Sequence, residues 1–353
     1  MKSESYKCTC VVTTHNRVHD LKDCLLSLAE QSIGFDDYQI LLIDNYSSDK
    51  NLVHNLYVEF KNKYPLLNID YHYEDIVGGM TYSRNRAVKI ADSEIVVFCD
   101  DDYIAEKNLL RSVIESFDDD DVAIVTGPLI PLYETKPPKW VKKLWRKTKY
   151  GFHLTDFSLC DFGPKIQEIP YNFAFWPNYA VRKSFFINGN GFAPDGFSGD
   201  YLRYNGSGEL FFSRYAKLQG RKIIYNPNML AHHKVSNYRF SKEYFDSRYF
   251  FYGLGISFDL TRNDGKLLGL FKKYRIILNY SYNLISDIFK SSWILKFRYF
   301  ALIKGYLYHQ RELKRDPSFL NYVLTDNWLN FDFSTLKPKK HRAKFTIWPE
   351  KTN

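Results

Sequence analysis

Over residues 8–126, short apolar runs alternate with amphipathic ones, and this alternation leaves few folds open. "CTCVVTTH", "YQILLIDN", "LNIDYHYE", "EIVVFCDDD" and "VAIVTGPL" read as strands. Between them, "RVHDLKDCLLSLAEQS" places Leu21, Cys24, Leu25 and Leu28 at helical spacing, and "NLVHNLYVEFKNKY", "TYSRNRAVKIAD" and "EKNLLRSVIESF" also read as helices. Nearly continuous apolar strands need cover on both faces. The pattern therefore predicts an α/β fold, a mostly parallel sheet flanked by helices.

In such sheets, ligands bind beyond the carboxyl ends of the strands. Polar clusters lie at three such ends: "THNR" (14–17), "DNYSSD" (44–49) and "DDD" (100–102). The last is the most demanding. In "IVVFCDDDY", an apolar run ends in three consecutive carboxylates, which repel one another and are costly to bury without positive charge. Hard oxygen donors at a strand tip suit Mg²⁺ or Mn²⁺, which keep coordination positions for water and substrate phosphates. "DDDD" at 118–121 follows a helix without polar partners and reads as a solvated turn.

Beyond residue 127 the alternation gives way to Pro-, Gly- and aromatic-rich loops, "GPLIPLYETKPPKWV" and "NGNGFAPDGFSGDY". "YNFAFWPNYAVRKSFF" between them reads as a strand or bend entering a helix. A helix, "ELFFSRYAKLQG", begins near Gly208 and stops at Gly220, where glycine suits a helix end. A strand, "RKIIYNP", and the pair His232–His233 follow, and from about 240 the pattern is helical. A chain of 353 residues accommodates a core domain with an appendage.

Charge divides the chain at the same place. Residues 1–240 carry 29 Lys and Arg against 30 Asp and Glu, whereas residues 241–353 carry 20 against 10. The five cysteines, Cys8, Cys10, Cys24, Cys99 and Cys160, are odd in number and mostly sit in apolar segments, so they read as reduced core residues. The start, "MKSESYKCTC", lacks the pattern of a secretory leader, and no window is long and apolar enough for a membrane span. The expected location is cytoplasmic.

"VVTTHNR", "LLIDNYSSD", "GGMTYSRNRAV", "VVFCDDDYI", "GSGEL" and "YNPNMLAHHKV" occur in the order and spacing of family 2 glycosyltransferases, and the resemblance runs from about residue 8 to 260. It implies a GT-A fold: a catalytic domain over 1–240, with a nucleotide-binding half at 1–126 and an acceptor half at 127–240, and a basic aromatic helical extension over 241–353. It also implies an inverting enzyme of bacterial surface-polysaccharide synthesis. The donor would be a UDP-sugar and the acceptor a saccharide or lipid-linked saccharide. Thr13, Asn16 and Arg17 would line the nucleotide pocket, Asp44 would meet the base, and Arg84 and Asn85 would approach the diphosphate. Asp100 and Asp101 would approach the ribose, while Asp102 and His233 would hold Mn²⁺ or Mg²⁺. Trp176 and Asn178 fall in the acceptor region. Glu209 is the expected catalytic base, although the family's usual Glu-Asp pair is here Glu209–Leu210. A sugar nucleotidyltransferase would need a glycine-rich phosphate loop, and "TTHNRVHD" has none. A degenerate, non-catalytic scaffold is the remaining alternative.

The stretch 291–316 spaces Trp293, Phe297, Phe300, Ile303 and Leu307 along one helical face, with Lys296, Lys304 and Arg311 toward others. Such a helix either packs on the catalytic domain or lies in a membrane interface beside anionic lipid. The basic balance favours peripheral contact with the cytoplasmic face of the inner membrane. Nucleic-acid binding is not favoured, because no recognition motif accompanies the basic segment.

Overall fold

A computed structural model describes residues 6–174, 176–290 and 292–340, apart from the side chains of residues 287–290. The polar lead at residues 1–5 and the last thirteen residues lie outside the described residues.

The alternating first third folds as read. Strands β1 (Cys8–Thr14), β2 (Tyr38–Asn45), β3 (Asn68–Glu74) and β4 (Ile95–Asp100) alternate with helices α1 (Val18–Ala29), α2 (Lys50–Lys63) and α3 (Gly79–Ile90). After β5 (Tyr103–Ala105) and α4 (Leu109–Ser116), the chain enters β6 (Val122–Thr126) and β7 (Leu129–Tyr133). β1 pairs in parallel with both β2 and β4, and β2 pairs in parallel with β3. β1 and β2 are buried along their whole length, as their apolar sequences require.

One expectation needs correction. "VAIVTGPL" is two strands rather than one, because Gly127 and Pro128 break it and send β6 and β7 into different sheets. A Cβ at Gly127 would collide with the Met229 carbonyl, so only glycine allows this close approach. The main sheet is mostly parallel, as predicted, with two short strands running against the other six. Between the loops come β8 (Arg146–Lys147), β9 (Phe152–Leu154), β10 (Leu159–Asp161), β11 (Gln167–Glu168) and β12 (Tyr179–Arg182). β12 lies between β4 and β6 and runs antiparallel to both. The sequence reading placed it as a strand or bend entering a helix, and a helix follows it directly.

α5 (Lys183–Asn188), α6 (Glu209–Leu218), β13 (Lys222–Tyr225) and β14 (Ala231–Val235) complete the sheets. The main sheet has the order β11-β13-β6-β12-β4-β1-β2-β3, and a second sheet the order β5-β14-β7-β10-β9-β8. β14 pairs with both β5 and β7, which carries the histidine pair to the segment just after the aspartates.

The chain ends in helices α7 (Lys242–Asp264), α8 (Leu270–Lys290), α9 (Arg298–Arg315) and α10 (Pro317–Val323). The main apolar core runs from the sheet into this region through Tyr244, Phe245, Tyr249, Leu295 and Leu302. The predicted helix over 291–316 is shorter, a tight turn at Trp293–Leu295 followed by α9. Its packed face is Ala301, Leu302, Gly305, Tyr306, His309 and Leu313, whereas Trp293, Phe297 and Phe300 point outward. α9 crosses α7 at Gly253 and Gly305. A Cβ on Gly305 would meet the Phe250 carbonyl, and one on Gly253 the Leu302 carbonyl.

That backbone-to-backbone approach leaves no flexible atom to yield. Gly305→Ala is expected to destabilise the chain by about 2–3 kcal/mol, the upper range for overpacking, as measured by denaturant unfolding.

Candidate active site

The parallel register brings the three polar strand ends together. Thr14 is level with Asp44, and Thr13 is level with both Ile43 and Asp100. β4 ends at Asp100, so Asp101 and Asp102 form the turn into β5. All three aspartates are buried.

Each carboxylate meets a guanidinium. Arg84 Nη2 lies 2.5 Å from Asp100 Oδ1, which also accepts the Trp176 indole N–H at 2.9 Å. The Arg84 guanidinium lies 3.6 Å from the Trp176 ring centre, so the tryptophan both supports the cation and holds its partner. Arg17 Nη1 reaches Asp101 Oδ1 and Asp102 Oδ2, each at 3.0 Å, and Thr14 donates to Asp101 Oδ2 at 2.8 Å. Arg239 Nη2 lies 3.1 Å from Asp102 Oδ2 and His233 Nε2 lies 3.2 Å from it. Burial alone would raise the Asp102 pKa, but His233, Arg17 and Arg239 outweigh it and hold the carboxyl well below the usual range. Asp101 moves the other way: burial and its two acidic neighbours raise its pKa against the pull of Arg17. The pair therefore titrates as a unit in which Asp102 keeps the charge.

Asp102 Oδ1 is buried and has no hydrogen-bond partner. His233 Nδ1 lies 3.0 Å from the Phe157 carbonyl. When Nδ1 donates there, Nε2 carries the lone pair and accepts from Arg239 Nη2 at 3.1 Å, a bond that a metal ion would replace. One orphaned carboxylate oxygen and one imidazole nitrogen suit Mn²⁺ or Mg²⁺, so these residues fit a divalent cation. Among the described residues, no three His, Cys, Asp or Glu side chains converge as a metal cage. The remaining ligands of an ion here would be phosphates and water.

A cavity of about 550 Å³ opens beside the triplet. Asp100, Arg84, Trp176, His233 and Arg239 line one part, while Asp195, Glu209 and Asp259 bring three carboxylates to it. Five tyrosines also line it, Tyr244, Tyr249 and Tyr252 of α7, Tyr280 of α8 and Tyr299 of α9, together with Arg248 and aliphatic side chains such as Met80 and Leu302. Glu209 opens α6 after Gly208, whose φ of +52° glycine adopts readily. Burial and the neighbouring negative charge of Asp195 push the Glu209 carboxyl up to about 7. Asp195 is itself raised by burial, although it accepts the Gly196 N–H at 2.8 Å.

The other predicted positions separate into two groups. Asp44 is fully buried at the end of β2, accepting the Ser47 N–H at 3.0 Å and the Tyr71 hydroxyl at 3.1 Å. Asn16, at φ +56°, accepts from Ser48 and so ties the loop after β1 to the loop after β2. Thr13 is buried, with its hydroxyl unpartnered. Arg17 turns to the aspartates and to Asp20 rather than to an open pocket. Two expectations fail on geometry. Asn85 exchanges hydrogen bonds with the Phe192 backbone, so its amide is a structural clamp rather than a diphosphate ligand. Asn178 is buried under Tyr103 and the carbonyls of Pro128 and Met229, out of an acceptor's reach.

Sequence reasoning missed Arg239, Asp195 and Arg248. Arg239 stands six residues after His233, and the same rule of polar residues following a strand, applied to β14, would have found it. Asp195 lies in a loop without periodicity. Arg248 donates to the Tyr252 hydroxyl at 2.9 Å from inside a helix, where arginine carries no local signal. His232 lies at the surface against Glu106, with Nε2 2.8 Å from Oε1.

A family model described as glycosyl transferase family 2 matches residues 9–169. The poly(ribitol-phosphate) beta-glucosyltransferase of Bacillus spizizenii is 35% identical over 108 residues, 30% of this chain and 16% of that protein. The minor teichoic acid biosynthesis protein GgaB of Bacillus subtilis is 28% identical over 130 residues, 36% of this chain and 14% of that protein. The matched segment thus spans about a sixth of these relatives' length. Among solved structures, a Pyrobaculum calidifontis mannosyltransferase with GDP-Man and Mn²⁺ aligns with TM-score 0.48 at 15% identity, covering 91% of this chain and 74% of that one. Staphylococcus aureus TarS 1–349 with UDP-GlcNAc also aligns with TM-score 0.48, at 16% identity, covering 87% and 91%. Over residues 9–169, this chain is similar to glycosyl transferase family 2, and the match covers a little under half of its length.

Proposed function

We propose that the chain is an inverting glycosyltransferase that moves a sugar from a UDP-sugar to a saccharide or lipid-linked saccharide acceptor of a bacterial surface polysaccharide. The observation that carries this reading is a single cavity lined by Asp100 with its partner Arg84, by His233 and Arg239, and by a carboxyl, Glu209, pushed up to about 7. The two relatives named above support a cell-surface polymer as the product. The scaffold alternative loses ground, because a scaffold has no use for a base tuned to neutrality.

In this reading, Glu209 accepts the acceptor hydroxyl's proton as that oxygen bonds to the sugar's anomeric carbon. The bond from that carbon to the diphosphate breaks, and UDP leaves with its electron pair. Arg84 and Arg239, both lining the cavity, face the charge that develops on the departing phosphate. Asp102 and His233 would hold Mn²⁺ or Mg²⁺, which when bound supplies further charge stabilisation to the diphosphate. Trp176 is the floor under Arg84, so its part is to fix the donor side rather than to serve as an acceptor platform.

Three outcomes follow. Glu209→Gln should lower kcat about 10²–10⁴-fold while UDP affinity, read by calorimetry, changes less than about twofold. A parallel fall in both would remove Glu209 from the role of base. Wild-type turnover should rise with pH as Glu209 loses its proton near 7. Asp195→Asn removes a negative neighbour that raises the Glu209 pKa, so the acid limb of the pH–rate profile should move to lower pH. Finally, UDP should bind with Mn²⁺ and lose that dependence in Asp102→Asn, with unchanged circular dichroism. Equal UDP binding with and without Mn²⁺ in both proteins would sink the metal assignment.

A further inference from the structure

α8 carries a stripe of large apolar side chains that nothing among the described residues covers. Leu270, Phe271, Tyr274, Leu278, Tyr282 and Ile285 are 56 to 83% exposed. At 100° per residue, they share one sector of about 120° on the helix. The protein-facing side of the same helix carries Tyr280, which lines the cavity and stacks on Tyr299 of α9 at 6.2 Å. A soluble helix normally buries its apolar stripe, and exposed patches of this kind mark interaction sites. α8 turns a tyrosine inward and leaves its aliphatic and aromatic stripe outside.

The surrounding charge identifies what the stripe meets. Residues 265–286 contain Lys266, Lys272, Lys273 and Arg275 and no acidic residue. Lys272 turns back to Asp264 at 2.5 Å, while Lys266 and Arg275 are exposed. Lys273 lies near Lys314 of α9, whose charge joins burial in lowering its pKa. The adjoining segment exposes Trp293, Phe297 and Phe300, with Lys304 Nζ lying 4.4 Å from the Phe300 ring centre. A second copy of the chain would bring the same excess of cations against itself. Nucleic acid would use cations and flat rings more than a leucine and isoleucine seam. An anionic bilayer offers hydrocarbon to the stripe and headgroup charge to its basic flanks. Among the described residues no helix is long and apolar enough to cross a membrane, so the contact is interfacial.

We propose that α8 is an interfacial docking helix that seats the protein on an anionic lipid bilayer through Leu270, Phe271, Tyr274, Leu278, Tyr282 and Ile285. Because α8 also walls the cavity at Tyr280, docking brings the cavity's aromatic wall within one helix diameter of the lipid. A lipid-linked acceptor would then reach Glu209 from the membrane; this last step alone rests on the proposed transferase reading.

The test is co-sedimentation of the full chain with vesicles of phosphatidylcholine, with and without phosphatidylglycerol. The wild type should bind the phosphatidylglycerol vesicles about tenfold or more tightly than the neutral ones, and rising salt should weaken that binding. Phe271→Ser, Leu278→Ser and Tyr282→Ser together should reduce binding about tenfold or more. Lys266→Gln with Arg275→Gln should lower it and flatten its salt dependence. All these side chains are exposed, so thermal midpoints and UDP affinity should remain at wild-type values. Equal vesicle binding by the wild type and the triple variant would overturn the proposal, as would a wild type that stays in solution with both vesicles. A dimer in light scattering that the triple variant dissolves would reassign the stripe to self-association. If UDP fails to bind while vesicle binding follows the variants, the donor-site reading falls and the docking surface stands.

Discussion

The site depends on neutralising three consecutive carboxylates in protein interior. Coulomb repulsion within Asp100–Asp102 is strong where water is scarce, and each charge also pays for lost solvation. Three arginines from three distant segments offset it: Arg17 after β1, Arg84 on α3 and Arg239 beyond β14. The triplet thus ties the first strand loop, the third helix and the segment behind the second sheet to one point. Arg17 serves two carboxylates at once, and Trp176 holds both members of the Arg84–Asp100 pair. Removing one partner from such a cluster leaves a buried unpaired charge, a larger loss than a surface ion pair.

That cluster also explains how much could be read from the sequence. A run of three aspartates at the end of "IVVFC" announces a need for positive charge, and the alternation of β1 to β4 places it at a sheet edge. Both are local signals, repeated every few residues. What the sequence does not announce is which cation answers. A divalent ion was the expected partner, yet the side chains that meet the carboxylates are arginines, two of which, Arg17 and Arg84, had been given to the nucleotide. Their pairing is settled by tertiary distance: 85 residues separate Arg17 from Asp102, and 137 separate Arg239 from it. The direction of β12 escaped for a similar reason. "YNFAFWPNYAVRKSFF" reads as a strand or bend entering a helix, but the four residues "YAVR" carry no period long enough to show that the strand runs antiparallel between two others. Asn85 and Asn178 show the opposite error. Polar residues inside motif-bearing segments were read as ligands when their amides were needed to satisfy buried backbone groups.

The helices after residue 240 have a role that the charge division concealed. Their basic excess suggested a separate attachment, but α7 delivers Arg248, Tyr244, Tyr249 and Tyr252 to the cavity, and α8 and α9 add Tyr280 and Tyr299. Close contact of α7 with α9 at Gly253 and Gly305 fixes this wall, and Arg203 ties it to the middle of the chain through Asp316 at 3.0 Å. Tyrosine suits such a wall. Its ring excludes water and offers a face for a sugar, while its hydroxyl finds a partner at the edge.

Two kinds of charge therefore share one partly dry space. On one side, three guanidinium groups meet the three aspartates; on the other, Glu209, Asp195 and Asp259 share the space with Arg248. Burial raises Glu209 most and the charge of Asp195 adds to it, while Arg84 and Arg248 pull the other way. Arg84 therefore acts in two places: it pairs with Asp100 and also draws the Glu209 carboxyl down, so the raised value of Glu209 comes from burial and Asp195. The separation also gives the cavity direction: an anionic group is drawn to the arginine side, and a neutral hydroxyl with a proton to lose is better received beside Glu209.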